Sequence, residues 1–361
     1  MKRVGLLTSG GDCQALNATM RGISKALYNM YGDEVEIVGF LDGYKGLIYE
    51  DYIKLSPADF SGILTKGGTI LGTSRQPFKD MRTPDANGLD KVEAMKTTYR
   101  RLRLDCLYVL GGNGSQKTAN LLSEEGLNVI GMPKTIDNDL WGTDTTFGFQ
   151  SAIDVATNAM DAIHTTAASH NRCFIVEIMG HKAGWLTLNA GMASGADIIL
   201  IPEIPYDIDN VIKAVQNRNK RGRGFTIIAV AEGAMTMEDA GMKKKEYKKR
   251  VEDMLRNYPS ISYEIADQIK AGTGLECRVT VPGHMQRGGQ PNAYDRVLSS
   301  RLGTYGAILF SQGKFGDMVA IRDHKITSVP LSEVAGKLKT VPIDSDIITE
   351  ARMLGISFGD R

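Results

Sequence analysis

Short apolar, β-branched runs alternate with longer helical patterns along the chain, and this alternation restricts it to parallel sheets covered by helices. Residues 4–8, 34–39, 106–110 and 128–132 read as strands, with helical patterns over 14–31, 116–125 and 150–169. A second series has strands at 173–178, 198–201 and 226–231 and helices at 185–194 and 208–218. Two such series predict an α/β protein of two doubly wound lobes, a size that 361 residues accommodate. No Pro/Ser-rich linker separates the series, so the lobes are expected to exchange strands or helices.

With a net charge of +1 and pI near 7.6, the chain has no overall field that favours nucleic acid or an anionic membrane. Small anions must be held by local charges. The first seven residues read as a strand rather than a signal peptide, and no apolar run approaches the roughly 18 residues of a membrane span. A cytoplasmic location is expected. Cys13, Cys106, Cys173 and Cys277 lie far apart and form no C-x-x-C pair, so they read as reduced thiols. The lysine-rich stretch 242–255 alternates cations with acids and reads as a solvated helix face.

Thr8-Ser9-Gly10-Gly11-Asp12 follows the first strand and precedes a helix, where backbone amides can approach an anion. A tight turn alone would use the same residues. Gly111-Gly112-Asn113-Gly114-Ser115 repeats this arrangement, and two such loops imply an extended ligand such as a nucleoside triphosphate. Between them, Gly67 to Ser74 surrounds Arg75 with small residues, and Arg75 can fork across phosphate oxygens. Lys79 and Arg82 follow, as phosphate ligands or as surface cations. Pro133-Lys134-Thr135-Ile136-Asp137-Asn138-Asp139 sets two carboxylates and a lysine at a strand end, a combination suited to proton abstraction and to stabilising a transferring phosphoryl group. Gly283 to Gly289 places His284 and Arg287 among glycines and, with Arg172 and Arg278, supplies a second anion-binding group.

The segments T-S-G-G-D, G-G-T-x-L-G-T-S-R, G-G-N-G-S, P-K-T-I-D-N-D, I-M-G, I-P-E, A-E-G and G-H-M-Q-R-G-G occur in this order, and through them the chain resembles the 6-phosphofructokinase family as far as about Leu309. The resemblance implies transfer of a phosphoryl group to the 1-hydroxyl of fructose 6-phosphate. It implies Asp137 as base, Asp139 and Thr135 as ligands of metal and transferring group, the Gly11 amide on the γ-phosphate and Arg75 on the β/γ-phosphates. Gly112, Asn113, Gly114 and Ser115 would complete the donor site. Met179, Gly180, His181, Glu232, His284 and Arg287 would bind the sugar phosphate, with Arg172 and Arg278 reaching in from a neighbouring copy. A homotetramer or homodimer and Mg²⁺ are therefore implied. The lobes are expected as 1–148 plus about 287–336 for the donor and 149–286 plus about 337–361 for the sugar phosphate.

Three departures bear on these roles. Asn113 stands where the family carries a metal-associated aspartate, and His181 where it carries arginine, whose charge Lys134 or Lys182 would have to supply. The usual Pro-Gly after Asp12 is missing. Gly114 leaves room for an α-phosphate, whereas Lys134 attracts either donor; ATP is favoured, with pyrophosphate the alternative. An NAD or lipid kinase would explain the second glycine loop but not T-I-D-N-D. A non-catalytic regulatory subunit would not need both aspartates. Arg21 and the 213–223 region are candidate effector-site cations with no ligand assigned.

Overall fold

The computed structural model describes residues 1–220 and 224–361. Among these the strands are β1 (Lys2–Ser9), β2 (Val35–Phe40), β3 (Tyr52–Leu55), β4 (Cys106–Gly111), β5 (Val129–Pro133), β6 (Cys173–Ile178), β7 (Ile198–Leu200), β8 (Thr226–Ala231), β9 (Cys277–Thr280), β10 (Asp317–Arg322) and β11 (Lys325–Pro330). The α-helices are α1 (Leu16–Tyr31), α2 (Tyr44–Tyr49), α3 (Lys91–Arg101), α4 (Asn113–Glu124), α5 (Phe149–His170), α6 (Trp185–Ala193), α7 (Ile208–Lys220), α8 (Met237–Gly241), α9 (Lys244–Asn257), α10 (Ile261–Thr273), α11 (Ala293–Ser311), α12 (Leu331–Val334) and α13 (Asp346–Met353). The chain divides into one unit of residues 1–152 and 287–339 and another of 153–286 and 340–361.

The first unit is built on a seven-stranded sheet in the order β11-β10-β5-β4-β1-β2-β3. Strands β4 and β5 are buried along their whole length, the continuous apolar reading of a parallel strand covered on both faces. β1 pairs in parallel with both β2 and β4, and β4 with β5. The chain leaves β1 through α1 toward β2, whereas β4 lies on the other side of β1, so the connections diverge. That divergence is a topological switch point, and ligands of open α/β sheets bind at the strands' carboxyl ends there. The edge strands β3 and β11 are antiparallel and only partly buried; without a continuous apolar run they escape sequence reading.

Helix α4 begins at Asn113, three residues before the expected start at 116. Gly114 is a weak helix former and hides the boundary. Gln116 fixes this turn by donating to the carbonyls of Gly111 and Met132 at 2.9 and 3.0 Å. Asn113, Gly114 and Ser115 therefore form the first helical turn rather than a loop.

The second unit holds an all-parallel sheet, β7-β8-β6-β9. Its core joins Ile175, Ile198 and Val230 of the sheet to Val211 and Val215 of α7 and to Ile265 and Ile269 of α10. The lysine-rich stretch forms α9, in which Met254 is the buried side chain. Residues 221–223 of the candidate effector region lie outside the described residues, and Arg218 pairs with Asp197 at 2.5 Å. All four cysteines are free, although Cys173 and Cys277 meet as register partners on β6 and β9. Among the described residues no helix is long and apolar enough to cross a membrane.

Candidate active site

Three loops leave adjacent parallel strands of the first unit at the same edge. Ser9 is in register with Gly111, and Gly111 with Pro133, so the segments after β1, β4 and β5 emerge side by side. They border a cavity of about 360 Å³ whose lining includes Gly11, Arg75, Gly114, Lys134, Asp137 and Arg287. Gly112, Asn113, Ser115, Thr135 and Asp139 line it as well.

Hydrogen bonds hold the loops to one another. The Gly10 N–H donates to the Ser74 carbonyl at 3.1 Å, and the Thr73 hydroxyl returns a bond to the Gly10 carbonyl at 2.7 Å. Buried Asn17 donates to the Lys66 carbonyl at 2.9 Å and accepts the Ile70 N–H at 2.9 Å, which fixes the segment leading to Arg75. A Cβ on Gly11 would lie 1.6 Å from Arg287 Nη1, so the guanidinium packs directly against the glycine backbone and any side chain there would displace it. At Gly114 an added Cβ would meet nothing within 4 Å. The amides at the start of α4 lack intrahelical acceptors, which suits this side of the cavity to an anion. Arg82, by contrast, pairs with Glu125 at 3.0 Å.

Lys134 is buried and donates to the Gly11 carbonyl, which ties the third loop to the first. Burial pushes its ammonium below the ordinary lysine range, while Cys13, Asp137 and Asp12 oppose that shift and Arg287 adds to it. In the acidic loop, the Asp137 N–H donates to the Thr135 hydroxyl at 3.0 Å and the Thr146 hydroxyl to the Thr135 carbonyl at 2.7 Å. Asn138, between the two aspartates, has φ 52° and is buried.

A divalent cation fits these residues only as a companion of bound phosphate. Among the described residues no group of three or more His, Cys, Asp or Glu side chains could hold a metal. Asn113 donates through its amide nitrogen to the Lys337 carbonyl at 2.9 Å, and its Oδ1 is buried without a hydrogen-bond partner. An aspartate could not make the bond to Lys337, so the amide is matched to this neighbour while still offering one oxygen. Mg²⁺ is commonly held by one or two carboxylates, waters and substrate phosphates. Asn113, Asp137 and Asp139 can supply such a partial shell.

The second unit brings its predicted residues together in two places. Met179, Gly180 and His181 follow β6, and Glu232 follows β8; the Glu232 carboxylate accepts the N–H groups of Gly180 and His181 at 3.3 and 2.7 Å. Gly233 must be glycine, because a Cβ would lie 2.0 Å from the His181 carbonyl oxygen. The Met179 N–H donates to Gln286 at 3.2 Å, and exposed His284 lies in the same short 3₁₀ helix as Gln286. Arg172 and Arg278 sit at the other end of the sheet, at the starts of β6 and β9. Both engage Glu276, Arg172 through Nε at 2.6 Å. Glu276 carries no motif and is invisible to sequence reading, and the arginines hold its carboxyl below the usual range. Glu203 of the I-P-E segment caps α6 by accepting the Gly184 N–H at 2.9 Å.

Glycine-rich loops beside two carboxylates, at the switch point of a doubly wound sheet, suit a phosphotransferase. Comparison with known proteins agrees: the sequence signature described as phosphofructokinase matches residues 3–309. The ATP-dependent 6-phosphofructokinase of Spirochaeta thermophila is 56% identical over 99% of this chain and 97% of its own length. That of Propionibacterium freudenreichii is 45% identical over 99% of both chains. Among solved structures, Saccharomyces cerevisiae phosphofructokinase superposes with a TM-score of 0.78 at 29% identity, over 92% of this chain and 45% of that longer one. A pyrophosphate-dependent phosphofructokinase from Nitrosospira multiformis gives 0.82 at 22% identity over 98% and 91% of the two chains, a likeness of fold alone. This chain belongs to the phosphofructokinase family.

Proposed function

We propose that the chain is an ATP-dependent 6-phosphofructokinase, transferring the terminal phosphoryl group of ATP to the 1-hydroxyl of fructose 6-phosphate in glycolysis. The near-full-length 56% identity with the Spirochaeta thermophila enzyme of that name carries this reading. The first unit is the donor lobe and the second the sugar-phosphate lobe. Asp137 takes the proton from the attacking hydroxyl. Thr135 and Asp139 orient the transferring group, and Lys134 and Arg75 offset the charge that spreads over its oxygens, since positioning and charge neutralisation dominate phosphoryl transfer. Asn113, Asp137 and Asp139 would hold Mg²⁺ together with the nucleotide phosphates, and the ion would supply charge neutralisation there. Gly11 and the Gly112–Ser115 amides receive the phosphates.

Met179, Gly180, His181, Glu232, His284 and Arg287 bind the sugar phosphate. Arg172 and Arg278 serve the site of a neighbouring copy. The start of β6 and its end at Met179 are separated by about 20 Å of strand, too far for one small sugar phosphate to touch both groups in one chain. A homodimer is thus the smallest complete enzyme, with a homotetramer the larger closed form, working in the cytoplasm.

ATP is favoured as the donor by the relatives' activity, and the open space at Gly114 is compatible with an α-phosphate there, with pyrophosphate the alternative. Gly114→Asp should lower kcat/KM for ATP at least about tenfold, because the new carboxylate faces phosphate charge at short range. A coupled assay comparing ATP with pyrophosphate, with fructose 6-phosphate and Mg²⁺, tests both points. Turnover with pyrophosphate and none with ATP would assign the donor preference to Lys134 instead.

A further inference from the structure

Lys339 reaches the acidic loop from a segment two hundred residues away in sequence. Its ammonium donates to Asn138 Oδ1 at 3.0 Å and to the carbonyls of Thr143 and Asp144 at 2.8 Å each, which engages all three of its N–H bonds. Its backbone N–H donates to the Asp139 carbonyl at 2.9 Å, and Leu338 forms a bridge with Leu140. One position earlier, the Lys337 carbonyl accepts from Asn113. Residues 337–339 therefore hold the start of α4 and the acidic loop in one strap.

Asn138 is the point where this strap acts. It is 4% exposed and left-handed at φ 52°. Asparagine enters that conformation more readily than other non-glycine residues, and here its side-chain hydrogen bonds hold it there. Its Oδ1 accepts the Thr146 N–H at 3.1 Å as well as Lys339, and its Nδ2 donates to the Asp144 carbonyl at 3.3 Å. Asn138 is flanked on both sides by carboxylates, and its φ sets how those two side chains are presented to the cavity. Half-buried, Lys339 places its ammonium among three acceptors of the acidic loop and the segment that follows it.

We propose that Lys339 is a positioning residue for phosphoryl transfer, clamping Asn138 so that Asp137 and Asp139 are held in the reactive arrangement. This rests on the function proposed above. It predicts that the clamp contributes to turnover rather than to substrate binding.

Lys339→Met should lower kcat at least tenfold, with KM for ATP and for fructose 6-phosphate changed less than threefold. Asn138→Gly, which accepts the left-handed backbone without strain but lacks the acceptor, should lose kcat similarly. The double variant should be no worse than the poorer single by more than about twofold, because the Lys339–Asn138 contact is the one both singles lose. Multiplying losses, or a Lys339→Met enzyme within twofold of wild-type kcat, would overturn the proposal. If Lys339→Met does not fold, Asn138→Gly decides: turnover within twofold of wild type sinks the clamp. Amide hydrogen exchange over residues 136–140 needs no substrate and should quicken in either variant. Unchanged exchange counts against the clamp even if the wild type proves inert toward fructose 6-phosphate, a result that would instead remove the proposed function.

Discussion

Asp137→Asn is expected to lower kcat with ATP and fructose 6-phosphate by at least about 10²-fold, the low end of what a positioned general base contributes. The amide matches the carboxylate in size but cannot take the hydroxyl proton. That loss corresponds to roughly 2.7 kcal/mol or more of transition-state stabilisation. Because Asp137 hydrogen-bonds through its backbone N–H to Thr135, the loop fold does not depend on its carboxylate alone. Fructose 6-phosphate affinity, measured by calorimetry, should stay within a few-fold of wild type. A variant that turns over at near-normal rate would move the base elsewhere.

Sequence alone revealed the acidic loop because its chemistry is contiguous: Lys134, Asp137 and Asp139 lie within six residues at the end of a fully buried strand. The same burial made β4, β5, β6 and β8 legible as continuous apolar runs. The contacts that organise those residues were hidden, since they come from positions without local signature. Lys339 lies in an unremarkable Lys-Leu-Lys-Thr stretch, and Glu276 precedes an edge strand that is mostly half-buried. Asn113 reads as a weakened metal ligand until the Lys337 carbonyl opposite it is known. The left-handed turn at Asn138 likewise has a sequence cue, asparagine, that is too common to stand by itself.

The second large effect concerns Arg172 and Arg278. Alanine at either position should raise KM for fructose 6-phosphate by roughly 10- to 150-fold, the equivalent of about 1.5–3 kcal/mol for a lost charged hydrogen bond, with kcat changed much less. Glu276 already binds both side chains, so the phosphate must share or displace that carboxylate, and the effect should sit toward the lower end. The stronger test mixes two defective proteins. If each site takes Asp137 from one chain and Arg278 from another, unfolding and refolding equal amounts of Asp137→Asn and Arg278→Ala should regenerate activity. In a dimer, half of the molecules are hybrids with one intact site of two, giving about a quarter of wild-type turnover at low fructose 6-phosphate. Sites contained within one chain would give no recovery beyond the sum of the parents. The opposite placement of Arg172 and Met179 along β6 makes recovery the expected result, because strand geometry fixes their separation in any single copy.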